Sequence, residues 1–168
     1  MESSDGEGAG SDGYTISTNN EMLDIPFIHQ FISQTYWAKG IPKSVLEKAI
    51  QHSLCFGVYA LDGKRVDKQI DKQISKQVGF ARLITDRASF AYLADVFIID
   101  EHRGLGLSKW LIDAVVNHED VKGMRRMMLA TRDAHGLYAQ FGFLPIENPE
   151  ILMQIWRPNI YMKSQNDD

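Results

Sequence analysis

DVFIIDEHRGLGLSK, residues 95–109, is the most informative stretch of this chain. Its apolar first half is typical of a strand, its middle contains Gly104 and Gly106, and the apolar spacing beyond them predicts a helix. Glycines let a backbone turn approach a ligand closely, and the free N–H groups and dipole of a helix start attract phosphate. Strand, glycine turn and helix in this order predict an anion site, although two glycines alone fit an ordinary turn equally well.

Charged and hydroxyl side chains at the turn support this interpretation. Arg103 and Lys109 bring formal positive charge, and the Ser108 hydroxyl can donate to a phosphate oxygen. Two better-known phosphate motifs do not fit. A dinucleotide fingerprint requires a third glycine where Lys109 stands, and a P-loop requires Gly-Lys-Ser/Thr after a longer loop.

The distribution of charge agrees with an anionic ligand. The 168 residues have a net charge of −4, with 44% hydrophobic and 24% charged residues, which is typical of one ordinary soluble domain. Six of the 22 acids lie in residues 1–13 and 165–168, which leaves 16 acids against 18 bases, or +2, over residues 14–164. Residues 101–132 hold six bases and four acids and account for that excess. The resulting field suits a compact anion but is too weak for a nucleic-acid groove.

Composition also bounds the domain and its surroundings. We expect disordered tails at residues 1–13 and 165–168 and a single folded domain over residues 14–164. The chain has no apolar run of 18 residues and no basic, apolar leader, so we expect neither a membrane span nor a signal peptide. The single cysteine cannot form an internal disulfide, which fits a cytoplasmic protein, and the five scattered histidines predict no metal site.

Apolar periodicity predicts the order β-α-α-β-β-β-α-β-α-β, an α/β sandwich with a mixed sheet and helices on both faces. Strands are expected at 14–18, 54–61, 77–84, 89–99 and 127–131, with closing pieces at 151–155 and 159–162. Helices are expected at 25–37, from Pro42 onward, at 105–118 and at 135–141. A tandem tetrad at residues 67–78 is interpreted as a lengthened hairpin connection or, alternatively, as an exposed helical turn.

The turn resembles that of the GNAT superfamily of N-acetyltransferases. The family's motif, Arg/Gln-x-x-Gly-x-Gly/Ala, is matched by Arg103, Gly106 and Ser108, where serine departs from the pattern but is small enough to keep the turn. A second block, LYAQFGF at residues 137–143, resembles the family's short helix and strand after the fifth strand. The wider resemblance covers residues 14–145, and TYWAKG at 35–40 is similar to a loop of small bacterial members with undefined acceptors.

This resemblance implies a mixed, mostly antiparallel central sheet with helices on both faces, and acetyl-CoA as the acetyl donor. It implies that the backbone around Phe97 and Ile98 pairs with the pantetheine arm. It also implies that the turn amides hold the pyrophosphate; with the adjacent lysine, the residues concerned are Arg103, Gly104, Leu105, Gly106, Leu107, Ser108 and Lys109.

The resemblance also places Tyr138 where many members hold a tyrosine near the thioester sulfur. A tyrosine hydroxyl stays protonated at neutral pH and can donate a proton to a departing thiolate. The alternative is a packing residue beside Leu137 and Phe141.

Asp95 is the candidate base. Strand alternation would place it on one face with Leu93, Phe97 and Ile99, as a lone acid in an apolar strand covered on both sides. Burial without a partner is costly and would raise its pKa toward the range of a general base. The alternative is a structural carboxylate bonded to backbone amides or to an arginine such as Arg82.

Tyr36, Trp37 and Tyr92 could line an acceptor pocket or could equally be core aromatics. The prediction is an N-acetyltransferase acting on a primary amine of a small molecule or peptide. A non-catalytic acyl-CoA-binding module is the alternative, and both a monomer and a homodimer remain open.

Overall fold

A computed structural model describes residues 12–61 and 74–162. The tails predicted at 1–13 and 165–168 lie outside these ranges, except for residues 12 and 13. Residues 67–73 of the tandem repeat also lie outside them. The last residues of the repeat belong to a strand. No helix in the described part of the chain is long and apolar enough to cross a membrane.

The described residues form one five-stranded sheet in the order β1-β2-β3-β4-β5. All neighbours are antiparallel except β4 and β5, which are parallel. This confirms the mixed, mostly antiparallel sheet. The strands are β1 (Tyr14–Ser17), β2 (Leu54–Leu61), β3 (Ile74–Thr85), β4 (Phe90–Ile98) and β5 (Arg126–Leu129).

Helices cover both faces of the sheet, as predicted. They are α1 (Ile25–Ile32), α2 (Lys43–Gln51), α3 (Leu107–Val116) and α4 (His135–Ala139). The apolar stripe of α3 packs into one buried cluster, which we call the α3-side cluster, and those of α1 and α2 into a second, the α1–α2-side cluster. Helix α1 ends five residues earlier than predicted, because the chain turns after Ser33, whose carbonyl accepts the Gly40 N–H at 2.9 Å.

A β-bulge at Asp95 reverses the alternation of β4. Arg82 pairs with Ala94 but Phe80 pairs with Phe97, so two steps along β3 span three along β4. Leu93 therefore lies in the α3-side cluster and Phe97 in the α1–α2-side cluster. The prediction that Leu93, Asp95 and Phe97 share one face is wrong, because strict alternation ignores the extra residue.

Strands β4 and β5 stop pairing just before the bulge. Their pairing ends at Leu93↔Leu129, while β4 continues to Ile98. Among the described residues, no strand pairs with β4 on its β5 side beyond Leu93. An opening therefore lies in the sheet between the second half of β4 and the chain that follows β5.

The prediction of closing strands at 151–155 and 159–162 is wrong. The described chain instead has a short 3-10 helix at Pro149–Ile151, and the residues after it pair with no strand. Pro149 and Pro158 each remove a backbone donor from the segment, which disfavours a regular ladder.

Gly79 provides a test of the packing beneath the bulge. A Cβ at Gly79 would meet the Ile98 side chain and lie 2.9 Å from the Phe97 carbonyl oxygen. We expect Gly79→Ala to lower the free energy of unfolding by about 1–3 kcal/mol in urea titrations. The matched control is Gly136→Ala, where nothing lies within 4 Å of the added carbon; equal stability of the two variants would contradict this packing.

Candidate functional site

The glycine turn presents an open backbone surface at the start of α3. Gly104 and Gly106 have φ angles of +79° and +77°, a left-handed conformation that glycine adopts at little cost. Nothing lies within 4 Å of where a Cβ would stand at either position. The turn is therefore accessible to a ligand on the side that the absent side chains leave free.

The amides at this turn are unused within the described structure. The first helical bond of α3 runs from the Trp110 N–H to the Gly106 carbonyl at 3.1 Å. Among the described residues, none of the N–H groups from 104 to 109 donates a hydrogen bond, and no side chain caps the helix. These groups and the helix dipole make the turn suited to an anion.

The cations predicted at the turn have different surroundings. The Arg103 guanidinium donates to the Ile98 carbonyl at 3.0 Å and pairs with Asp100 at 2.7 Å, so this side chain ties the turn to the end of β4. Lys109 is exposed and has no ion pair with any described residue. The backbone around Phe97 and Ile98 is predicted to pair with the pantetheine arm. The Ile98 carbonyl in this stretch already accepts from Arg103, whereas Lys109 is free to meet a ligand.

Asp95 is buried and has a partner for each carboxylate oxygen. Trp37 Nε1 donates to Oδ1 and Arg82 Nε donates to Oδ2, both at 2.8 Å. Arg82 also donates to the Ser53 hydroxyl at 3.3 Å. The arginine partner foreseen as the alternative to a free base is present. A proton acceptor role would need a lone pair that Trp37 and Arg82 leave unused.

The loop at residues 33–40 bridges the opening between β4 and β5. On one side Trp37 bonds to Asp95 in the bulge. On the other, the guanidinium carbon of Arg132, three residues beyond β5, lies 3.8 Å from the centre of the Tyr36 ring. Tyr36 and Trp37 also contact each other edge to face at 5.0 Å. The two neighbouring aromatics thus connect the separated strands.

Tyr138 belongs to the same neighbourhood. Its ring meets the Phe143 ring edge to face at 5.8 Å, and it packs against the α3-side cluster. These contacts fit the alternative prediction that Tyr138 is a packing residue. Burial raises the pKa of the Tyr138 hydroxyl above its usual range, and electrostatic interaction with Asp133 and Tyr36 raises this pKa further. The hydroxyl therefore stays protonated at neutral pH, and it makes no hydrogen bond within the described residues.

The structure thus brings together Tyr36, Trp37, Asp95 and Tyr138, four of the residues predicted from sequence. Tyr92 lies on β4 opposite Ile84 and Met128, and no described hydrogen bond or ring contact joins it to the other four. Sequence reasoning missed Arg132 because a cation over an aromatic ring nearly a hundred residues away leaves no local pattern.

A cavity of about 630 Å³ adjoins this loop on the α1 side of the sheet. It extends from the last turns of α1 to the end of β4, and its size is in the range of small-molecule sites. It is lined by Phe27, Gln30, Phe31, Gln34, Thr35, Lys76, Ile99 and Glu101. In the described ranges, no group of three or more His, Cys, Asp or Glu side chains could hold a metal ion.

Comparisons with known proteins agree with this geometry. Residues 58–145, just over half of the chain, match a family model described as an acetyltransferase (GNAT) domain. A candidate acetyltransferase of Gibberella zeae is 33% identical over 137 residues, which cover 76% of each protein.

Solved structures share the fold. A candidate GNAT acetyltransferase of Xanthomonas campestris is 50% identical, covers 88% of this chain and 96% of its own, and has a TM-score of 0.77. A Mycobacterium tuberculosis protein solved in complex with CoA and NLQ is 18% identical, covers 79% of this chain and 73% of its own, and has a TM-score of 0.55. At that identity the second likeness concerns the fold alone.

Asp95→Asn tests the contacts that join Asp95 to Arg82 and Trp37. Asparagine keeps an oxygen for Trp37 but removes the charge that neutralises Arg82, whose side chain is 15% exposed. Because a lone charge is left in a mostly buried site, we expect a loss of about 3 kcal/mol in the free energy of unfolding. Trp37→Phe removes one hydrogen bond and should cost only about 1 kcal/mol; a larger loss for Trp37→Phe than for Asp95→Asn in urea titrations would contradict this order.

Proposed function

Because this chain belongs to the GNAT family of acetyltransferases, as its two sequence blocks predicted, we propose that it transfers the acetyl group of acetyl-CoA to a primary amine. The amine would attack the thioester directly, so that no acyl-enzyme forms. The observation that carries this proposal is the opening between β4 and β5. The unused amides of the α3 turn lie at the β4 end of this opening, and the protonated Tyr138 follows β5 on its other side.

The α3 turn fits the diphosphate of the donor. The six amides from 104 to 109 have no partner among the described residues, and Lys109 adds an unpaired cation. The β5 side of β4 beyond Leu93 offers backbone groups along which an extended amide-containing arm could pair. The Xanthomonas relative, at 50% identity, supports a shared fold over nearly the whole length of both chains.

Tyr138 is the proposed acid. Direct attack on a thioester releases a thiolate, which leaves more readily when it receives a proton. The pKa of the Tyr138 hydroxyl is raised above its usual value of about 10, so the proton is present throughout the neutral range. The absence of a competing hydrogen bond among the described residues leaves this hydroxyl free to donate.

Asp95 is proposed to act mainly by position. Both of its oxygens are engaged, and its bond to Trp37 fixes the loop that closes one side of the opening. An alkylamine is mostly protonated at neutral pH, so a proton must leave before the attack. A water molecule between the amine and Asp95 would pass this proton to a carboxylate lone pair that Trp37 and Arg82 leave unused, so that both existing hydrogen bonds persist.

The acceptor is proposed to approach from the α1 side. Tyr36 and Trp37 are 55% and 43% exposed, so they present aromatic surface at the opening. The adjacent cavity contains both aromatic and amide side chains, which suits an amine with a small apolar body.

The activity itself is tested by release of free CoA thiol from acetyl-CoA. We would screen polyamines, amino acids, aminoglycosides, arylalkylamines and peptides, with mass spectrometry to confirm an N-acetyl product. CoA binding without thiol release over the whole panel would instead favour the acyl-CoA-binding module.

Tyr138→Phe should lower kcat about 100-fold with an active acceptor, because the ring is kept and only the acid is lost. Affinity for CoA, measured by calorimetry, should stay unchanged. Tyr59→Phe is the control, since it removes a buried hydroxyl on β2 that has no hydrogen-bond partner among the described residues. Full turnover by Tyr138→Phe would exclude the acid role.

Gly106→Trp should abolish CoA binding, because the indole would fill the open side of the turn. Gly123→Trp is a matched control, as Gly123 also has a positive φ, +82°, and nothing within 4 Å of where a Cβ would stand, but lies beyond the far end of α3. The strain of the two replacements is similar, so melting temperatures should shift alike. Equal CoA affinity in the two variants would rule out the turn as the phosphate site.

A further inference from the structure

The guanidinium of Arg132 lies at the opening between β4 and β5 without an acidic partner. Its central carbon is 3.8 Å from the centre of the Tyr36 ring. The residue is exposed and forms no ion pair with any described residue. A cation–π contact leaves N–H donors of the guanidinium available, and their forked geometry matches a carboxylate.

Contacts of the aromatic loop hold this guanidinium in place. Tyr36 meets Trp37 edge to face at 5.0 Å, and Trp37 Nε1 donates to the buried Asp95 at 2.8 Å. The exposed cation is thus connected to the interior of the sheet through two aromatic side chains. Because it is held before a ligand arrives, this arginine loses less conformational freedom on binding an anion than an untethered surface arginine would.

Charges of opposite sign are arranged across the opening. Asp133 raises the pKa of the Tyr138 hydroxyl, so its carboxylate lies within electrostatic reach of the proposed acid. Arg132 lies over Tyr36, on the loop that follows α1. This order of charges complements a ligand whose ammonium group enters near the acid and whose carboxylate lies a few ångströms away, beside the loop.

The cavity of about 630 Å³ can hold the remainder of such a molecule. Thr35 lines it and directly precedes Tyr36, so the cavity adjoins the residue that holds the guanidinium. Two phenylalanine side chains also line it, and its charged lining residues, Lys76 and Glu101, are of opposite sign. This lining suits an apolar or aromatic side chain better than a second ammonium group.

We propose that the acceptor is an α-amino acid with an apolar or aromatic side chain, whose carboxylate binds Arg132 while its amine faces the thioester. This inference rests on the proposed acetyl transfer and narrows its acceptor. The amine nitrogen bonds to the acetyl carbon as the C–S bond breaks. The amine proton leaves through water toward Asp95, and the departing thiolate takes the Tyr138 proton. The carboxylate takes no part in the reaction, and the products are an N-acetylamino acid and CoA.

Matched pairs of acceptors test the carboxylate with the full chain and acetyl-CoA. Phenylalanine is compared with phenethylamine, leucine with isopentylamine, and lysine with cadaverine. Rates are expressed per free amine, because loss of the carboxylate changes the amine pKa. A charge-assisted contact should make kcat/KM for phenylalanine or leucine about tenfold higher than for the corresponding amine, mainly through KM.

The outcomes separate this inference from the proposed function. Thiol release that is equal within each pair, or faster with the decarboxylated amine, would overturn the inference and leave acetyl transfer in place. A preference for cadaverine over every amino acid would overturn it in the same way. No thiol release with any acceptor would overturn the proposed function, and this inference with it.

Arg132→Gln tests the assignment to this side chain. Loss of the charge and of the fork should lower kcat/KM about tenfold for the amino acid and much less for its amine. Arg132→Lys keeps the charge and should recover part of the loss. Arg125→Gln is the matched control, because Arg125 is also exposed and without an ion pair among the described residues but directly precedes β5, at its other end. This control should change neither value.

Two results would overturn the assignment. An equal loss for both members of a pair in Arg132→Gln would show that the side chain only positions the loop. A loss of CoA affinity in calorimetry would assign the guanidinium to the donor. Melting curves of each variant establish that it is folded.

Discussion

The buried contact of Asp95 with Arg82 and Trp37 is the constraint on which the site depends. It holds a bulge at the point where β4 parts from β5, and the positive φ of Asp95, +55°, is uncommon for a residue with a side chain. Such a backbone conformation persists where surrounding contacts impose it. Here two hydrogen bonds to one carboxylate supply those contacts, one from the adjacent strand and one from the 33–40 loop.

The same contact links the two halves of the proposed site. Trp37 ties the loop to β4, and the neighbouring Tyr36 meets Arg132 beyond β5, so the loop spans the gap that the bulge opens. Tyr138 lies close enough to Tyr36 for the two to interact electrostatically, a minor cause of the raised Tyr138 pKa after burial and Asp133. The strand separation, the aromatic loop and Tyr138 are therefore parts of one arrangement rather than separate features.

Local patterns predicted most of the elements. The glycine turn, the stripe of α3 and the continuous apolar run of β2 each carry their structure within a few residues, and these predictions agree with the observed α3 and β2 within two residues at each end. The prediction failed at the bulge and at residues 151–162, where closing strands were expected. A pattern of strict alternation does not reveal that a strand contains an extra residue. Apolar spacing at 151–155 indicates that the segment could form a strand, but it does not show that a partner strand is present.

The family, the order of the elements up to α4 and the glycine turn before α3 follow from the amino-acid sequence, because glycine conformation, helix starts and apolar periodicity are local properties of a chain. The partners of Asp95, the position of Arg132 over Tyr36 and the separation of β4 from β5 required the folded chain. The contacts among these join residues that are 13 to 96 positions apart, from Asp95 with Arg82 to Arg132 with Tyr36. Only packing brings such groups within a few ångströms, where charge and hydrogen bonding act.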